Sequence, residues 1–156
     1  MTITGPILVG DFNTFASAVK KNGAPRLVRL ESDGGEFGEA LGIGIMIHKL
    51  KINTETIGPC FSSCAYIWLA GHEFKIGNGS IIGIHAPANV YLPDTFKTES
   101  NNYIDAGWYL GMVGAPLAAA KNFLAVADLV AFVNLTETNL DVLGYEKIDA
   151  QTFKAP

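Results

Sequence analysis

The sequence predicts an α/β fold built on a mostly parallel β-sheet. Two observations support this prediction. Up to Ile84, short apolar runs typical of strands alternate with amphipathic stretches that have the period of a helix. Capping or breaking residues also mark the boundaries, as Asp11 and Gly23 do on either side of the first helix pattern. Strands that alternate with helices favour parallel pairing, because each helix carries the chain back across the sheet.

The first two strand and helix pairs follow directly from local patterns. An apolar run predicts a strand over residues 3–9, and apolar residues at helical spacing predict a helix over 12–21. A second strand over 26–30 enters the glycine-rich tight turn 32–35. The renewed helical period over 36–51 predicts the second helix.

The next elements come in the same order. A third strand over residues 52–57 leads through a Gly-Pro pair into an apolar helix over 62–71. Two short strands, 73–76 and 80–84, then flank the turn Gly77-Asn78-Gly79.

The C-terminal part has a different composition. Residues 86–98 are irregular and rich in Pro, Asn and Asp, which predicts a loop within the domain. Helices are predicted over 101–113, 116–126 and 136–143, and a closing strand over 145–148.

Length and composition limit the organisation and the partners. A chain of 156 residues predicts a single domain, 1–156, large enough to bury roughly two thirds of its unfolded surface. Apolar residues make up 49% and charged residues only 17%, against about 25% charged in typical soluble domains. This excess of apolar residues predicts packing between subunits, and so a homo-oligomer. The net charge of −4 provides no basic stripe, so nucleic acid is not an expected partner.

The sequence leaves the compartment open. No run is continuously apolar over the length of a membrane span, so we expect a soluble chain. Residues 1–5 lack the pattern of a signal peptide, but a chain that starts after a removed signal would look the same, so periplasmic and cytoplasmic locations are both open. Cys60 and Cys64 do not have the spacing of a CxxC motif, which leaves a local disulfide or two buried thiols.

The most informative segment places a hydroxyl at the start of an apolar helix and an imidazole after a strand. Ser62 begins the helix pattern, and His85 follows 23 positions later. A serine hydroxyl needs a base within hydrogen-bond reach before it can act as a nucleophile, and an imidazole is the usual base. Taken singly, Ser62 is more often a helix N-cap and His85 a structural histidine.

Cofactor motifs are missing from the sequence. The three histidines form no HExxH pattern, so no metal site is predicted. Neither a Walker A loop nor a GxGxxG fingerprint follows a strand. We therefore expect no cofactor.

The glycine-rich turn 32–35, the segment that begins at Ser62 and the segment that holds His85 together resemble motifs of the Clp-protease and crotonase superfamily, in particular its serine-peptidase branch. Residues 30–35 are similar to the family's strand and Ser-Pro-Gly-Gly turn. The family nucleophile lies nine residues before the Gly of an Ala-Gly pair, and Gly71 therefore selects Ser62 rather than Ser63. The segment 84–87 resembles the family's His-x-Pro.

The resemblance implies a single-domain spiral of ββα units with C-terminal helices, assembled as a homo-oligomer. The segment Cys60-Phe61-Ser62-Ser63-Cys64 is closest to a branch of often exported proteins with a Cys-x-Ser-x-Cys core. The family's third catalytic residue is an Asp that lies 16 positions before a strand-entry Gly. Gly144 therefore points to Asp128, with Asp105 and Asp141 as rivals.

The implied function is a serine peptidase-like hydrolase that cleaves peptide or ester bonds. Ser62 is the expected nucleophile, His85 the base and Asp128 the group that orients His85. The resemblance places the oxyanion between the backbone N–H groups of Gly35 and Ser63, and a helix start supplies such free donors. Two alternatives stay open: a non-catalytic binding or assembly protein on the same fold, and a crotonase-type acyl-CoA enzyme.

Overall fold

An eight-stranded sheet, with helices packed against it, organises the described part of the chain. The computed structural model describes residues 1–85, 87, 101–125, 133–136, 140–147 and 152–154. The strands are β1 (Thr2–Thr4), β2 (Leu27–Ser32), β3 (Asn53–Phe61), β4 (Phe74–Ile76), β5 (Ile82–Ile84), β6 (Val133–Leu135), β7 (Glu146–Lys147) and β8 (Thr152–Lys154). The helices are α1 (Asp11–Asn22), α2 (Phe37–Lys49), α3 (Ser63–Leu69), α4 (Asn101–Met112), α5 (Leu117–Ala125) and a 3₁₀ helix (Leu140–Leu143).

The first five strands pair in parallel. β2 lies between β1 and β3. β3 is long enough to serve two neighbours: its residues Thr54–Thr56 pair with β4, and Cys60 and Phe61 pair with β5. The predicted α/β class with a mainly parallel sheet is therefore confirmed.

Three C-terminal strands extend this sheet in antiparallel fashion. β6 pairs with β5, β8 pairs with β4, and β7 pairs with β8. The sequence patterns did not predict β6 and β8. The predicted helix over 136–143 is wrong in its described part, where Thr136 lies outside any helix and only the 3₁₀ turn Leu140–Leu143 forms.

The N-terminal strand is shorter than its apolar pattern predicts. Only Thr2–Thr4 forms a strand, because Gly5 turns the chain with a φ of 79° and Pro6 follows it. Ile7 then makes an isolated parallel bridge with Gly35. Asp11 begins α1 instead of capping it, and its carboxylate accepts a hydrogen bond from the Leu8 N–H at 2.8 Å.

The helices α4 and α5 occupy the region predicted to be helical near the C-terminus. Ile104 and Trp108 of α4 and Leu117 of α5 are exposed, while Tyr109 is fully buried. No helix among the described residues is long and apolar enough to cross a membrane. The predicted homo-oligomer stays a prediction, and the predicted loop over 86–98 lies outside the described residues apart from Pro87.

The core centres on α3, whose seven residues are all buried. The ring of Tyr66 packs edge-on against Phe37 and Phe123, and its backbone carbonyl accepts a hydrogen bond from the Tyr109 hydroxyl at 2.6 Å. That hydroxyl lies against Gly44 of α2, where a Cβ would overlap it. Because α3 is enclosed on all sides, the position of the segment that enters it at Ser63 is fixed.

Alkaline pH is expected to destabilise this core. Burial raises the pKa of Tyr66, Tyr109 and Tyr145 above their usual value. Above about pH 10 the unfolded chain releases these protons and the folded chain keeps them, so the free energy of unfolding falls by about 1.4 kcal/mol per pH unit for each such tyrosine. Urea denaturation between pH 9 and about pH 11 measures this slope. Ionisation of all five tyrosines without loss of structure would contradict the burial.

Candidate active site

The predicted site residues follow the carboxyl ends of three neighbouring parallel strands. Gly34 and Gly35 come after β2, Ser62 comes directly after β3, and His85 comes directly after β5. β3 pairs with both β2 and β5, so the three strand ends lie side by side. This edge of a parallel sheet is where open α/β folds usually bind their ligands.

The side chains of Ser62 and His85 are hydrogen-bonded to each other. Nε2 of His85 lies 2.7 Å from Oγ of Ser62. The hydroxyl donates to Nε2 when the imidazole proton is on Nδ1, and this is the arrangement in which a histidine can accept the serine proton. His85 is 7% exposed and Ser62 is half-buried, so the pair opens to the surface on the serine side.

Ser62 has a strained backbone. Its φ of 55° and ψ of −123° lie outside the regions that side-chain-bearing residues usually adopt. Such outliers cost about 1–3 kcal/mol and are concentrated at functional sites. The N–H of Ser62 donates to the Gly83 carbonyl at 2.9 Å and its carbonyl accepts from Ala65 at 2.9 Å, and these bonds hold the strand-to-helix turn.

Ser62 occupies the N-cap position of α3, as the N-cap interpretation predicts. Ser62 precedes the first residue of α3, but its side chain makes no capping hydrogen bond. The helix predicted over 62–71 is accordingly shorter, spanning Ser63–Leu69. The Ser62 hydroxyl points to His85 instead of to the helix backbone.

Cys60 and Cys64 are joined by a disulfide that encloses Ser62. The two Cα atoms are 5.2 Å apart, and both residues are almost fully buried. Cys60 belongs to β3 and Cys64 to α3, so the bond ties the end of the strand to the first turn of the helix. The covalent ring therefore contains the strained turn.

The two glycines after β2 allow a close approach between segments. Gly34 has a φ of 97°, and a Cβ there would lie 2.8 Å from Cβ of Ser62 and 3.1 Å from the backbone N of Ser63. Gly35 has a φ of 140°, and a Cβ there would overlap the carbonyl oxygen of Ile7. Only glycine suits both conditions, a positive φ and no space for a side chain.

The backbone N–H groups of Gly35 and Ser63 have no hydrogen-bond acceptor in the part of the chain that the structure describes. Ser63 is the first residue of α3, where N–H groups have no partner within the helix. Gly35 is exposed. Free donors of this kind, close to a nucleophile, can stabilise a developing oxyanion.

The third predicted member of the site is an aspartate. Asp128 lies outside the described residues, so its assignment stays a prediction. Asp105 in α4 and Asp141 in the 3₁₀ helix are both exposed, and neither carboxylate bonds to His85 within the described ranges.

One contact at the site could not be anticipated from motifs. The buried hydroxyl of Ser63 donates to the carbonyl oxygen of Gly35 at 2.9 Å. The sequence predicted a role only for the backbone N–H of Ser63. The available signal was a small hydroxyl residue at the first turn of an otherwise apolar helix.

Metal-binding clusters do not occur in the described ranges, where no group of three His, Cys, Asp or Glu side chains is close enough to hold an ion. The remaining histidines, His48 and His72, line a separate cavity of about 160 Å³ with Lys51 and Lys154. Burial, followed by the nearby His72, lowers the pKa of His48. Neither histidine takes part in the Ser62 and His85 pair.

Proteins similar to this chain are found by comparing structures and not by comparing sequences. No protein-family model matches the chain, and no curated protein matches it. A serine-to-alanine mutant of the membrane-bound stomatin-specific protease 1510-N superposes with a TM-score of 0.62 at 19% identity, covering 91% of this chain and 74% of that one. A lysine-to-alanine mutant of 1510-N in complex with a substrate peptide has a TM-score of 0.61 at 19% identity, covering 91% and 70%. The chain therefore shares the α/β fold of these two structures.

Proposed function

We propose that the protein is a serine peptidase-like hydrolase, with Ser62 as nucleophile and His85 as general base. The observation that carries this proposal is the 2.7 Å hydrogen bond between His85 Nε2 and Ser62 Oγ. The strained backbone of Ser62 supports it, since strain at a hydroxyl residue next to an imidazole is typical of a nucleophile turn. The substrate is proposed to be a peptide, by analogy with the peptide bound to the structural neighbour.

The proposed reaction has two stages. Ser62 Oγ attacks the substrate carbonyl carbon, its proton passes to His85 Nε2, and the carbonyl oxygen becomes an oxyanion bound by the N–H groups of Gly35 and Ser63. The bond to the leaving amine or alcohol then breaks, and the imidazolium returns the proton to that group. In the second stage a water molecule gives a proton to His85 Nε2 and attacks the acyl carbon, the bond to Ser62 Oγ breaks, and the imidazolium returns the proton to that Oγ. Asp128 is the proposed partner of His85.

A fluorophosphonate probe tests the nucleophile. Fluorophosphonates phosphonylate an activated serine hydroxyl and release fluoride, so the intact mass should increase by one label. The label is expected to disappear in Ser62→Ala. Ser80→Ala is the matched control, because Ser80 is a buried serine (2% exposed) outside the site. Labelling that persists in Ser62→Ala would rule out the assignment, and the absence of any label on the wild-type protein would favour a non-catalytic role.

A further inference from the structure

The Ser63 side chain connects the two segments that supply the proposed oxyanion donors. Its hydroxyl donates to the Gly35 carbonyl at 2.9 Å across 28 positions of sequence, and the residue is only 3% exposed. Serines at helix starts commonly use their hydroxyls locally, on backbone groups within a few residues. Ser63 instead directs its hydroxyl out of the helix to the glycine turn.

The other side of the glycine turn is held by Ile7. The Ile7 N–H donates to the Gly34 carbonyl at 2.8 Å, and the Glu36 N–H donates to the Ile7 carbonyl at 2.9 Å. These bonds fix the turn against the N-terminal segment. They do not fix it relative to the nucleophile turn, and glycine has the freest backbone of all residues.

The Ser63 hydroxyl supplies this second attachment. It joins the glycine turn to the nucleophile turn beyond the pairing of Ser32 with Cys60, which ends the β2 and β3 ladder. The Gly35 N–H and the Gly35 carbonyl lie in adjacent peptide units that share the Gly35 Cα, so holding the carbonyl against Ser63 also limits where the N–H can lie relative to Ser63. The donor of Gly35 and the donor of Ser63 are thereby held at one separation.

We propose that the Ser63 hydroxyl is a positioning group that sets the spacing of the two oxyanion donors, with its effect confined to the transition state. This inference rests on the proposed hydrolase function. The hydroxyl itself is not a catalytic group, because it bonds to the glycine turn and not to substrate.

The test uses a pair of activated p-nitrophenyl esters that differ in one atom, the carbonyl oxygen or a thiono sulfur. Backbone N–H donors spaced for an oxyanion stabilise the larger, weaker acceptor sulfur poorly, so the wild-type protein should prefer the oxygen ester strongly. Ser63→Ala is expected to lower kcat for the oxygen ester roughly 10- to 100-fold, less than the 10²–10³-fold typical of removing a donor outright. KM and the thionoester rate should change little.

Two further variants distinguish the positioning role of Ser63 from the proposed hydrolase function. Ser63→Thr keeps the hydroxyl and should recover most of the oxygen-ester rate, and His85→Ala should slow both esters alike. Rates are divided by the folded fraction from urea denaturation, since Ser63→Ala also removes the hydrogen bond to the Gly35 carbonyl. Equal slowing of both esters in Ser63→Ala, or no slowing, overturns the positioning role. If the wild-type protein neither hydrolyses the ester nor takes up a label on Ser62, the proposed function itself is overturned.

Discussion

His85→Ala is expected to lower the rate of fluorophosphonate labelling and of ester hydrolysis by roughly 10²- to 10⁴-fold, the usual contribution of a positioned general base. The reason is geometric: Nε2 of His85 is the group 2.7 Å from the Ser62 hydroxyl that can take its proton. Labelling is followed by intact mass against time. Added imidazole should restore part of the rate, because it can fill the space that the missing ring leaves beside Ser62.

His72→Ala is the matched control for this substitution. His72 is exposed, and its hydrogen bond to Ile52 is made by the backbone N–H, so removal of the ring should leave labelling unchanged. Circular dichroism and urea denaturation establish that His85→Ala is folded, since His85 is nearly buried. A folded His85→Ala protein that labels at the wild-type rate would exclude the base assignment.

Gly35→Ala is expected to have the largest effect on stability among single substitutions at the site. The new Cβ would overlap the Ile7 carbonyl oxygen and lie 2.9 Å from the Ile7 nitrogen, at a φ of 140° that disfavours side chains. Strain and overpacking each cost about 1–3 kcal/mol, so we expect a loss of about 2–6 kcal/mol in the free energy of unfolding. The folded fraction should also lose about 10²–10³-fold in hydrolysis, because the Gly35 N–H must move.

Gly38→Ala gives the opposite expectation three residues further on. Gly38 lies in α2, it has nothing within 4 Å of an added Cβ, and its φ is ordinary. Alanine there should stabilise the helix by about 0.5–1 kcal/mol. Urea denaturation of the two variants side by side gives both values. A Gly35→Ala protein as stable as Gly38→Ala would show that the contact with Ile7 is not tight.

Several features of the site were accessible from the sequence because they depend on order and spacing. The alternation of strands and helices predicted the parallel sheet, and consecutive parallel strands bring their carboxyl ends to one edge. The resemblance to the family's nucleophile spacing selected Ser62 over the adjacent Ser63, and in the structure Oγ of Ser62 lies 2.7 Å from Nε2 of His85.

Other features depend on contacts between distant residues and have no local signature. β6 and β8 are three residues long and are strands only because β5 and β4 provide edges to pair with. Strand preference reflects such pairing more than intrinsic tendency. The positive φ of Ser62 follows from its place between a fixed strand and a buried helix, and no residue preference of serine predicts it. The partner of the Ser63 hydroxyl is 28 positions away.

The side-by-side arrangement of three strand ends has a consequence for how the protein could be assayed. Ser62 and His85 are 23 positions apart, and the glycine turn is joined to Ser63 across 28, so each contact closes only when neighbouring strands have paired. A segment that carries one strand end contains one part of the proposed site and no more. The rate of hydrolysis would therefore be proportional to the fraction of molecules in which the sheet has assembled. After dilution from urea, the rate at which hydrolysis recovers would measure the slow, long-range pairing of strands during folding.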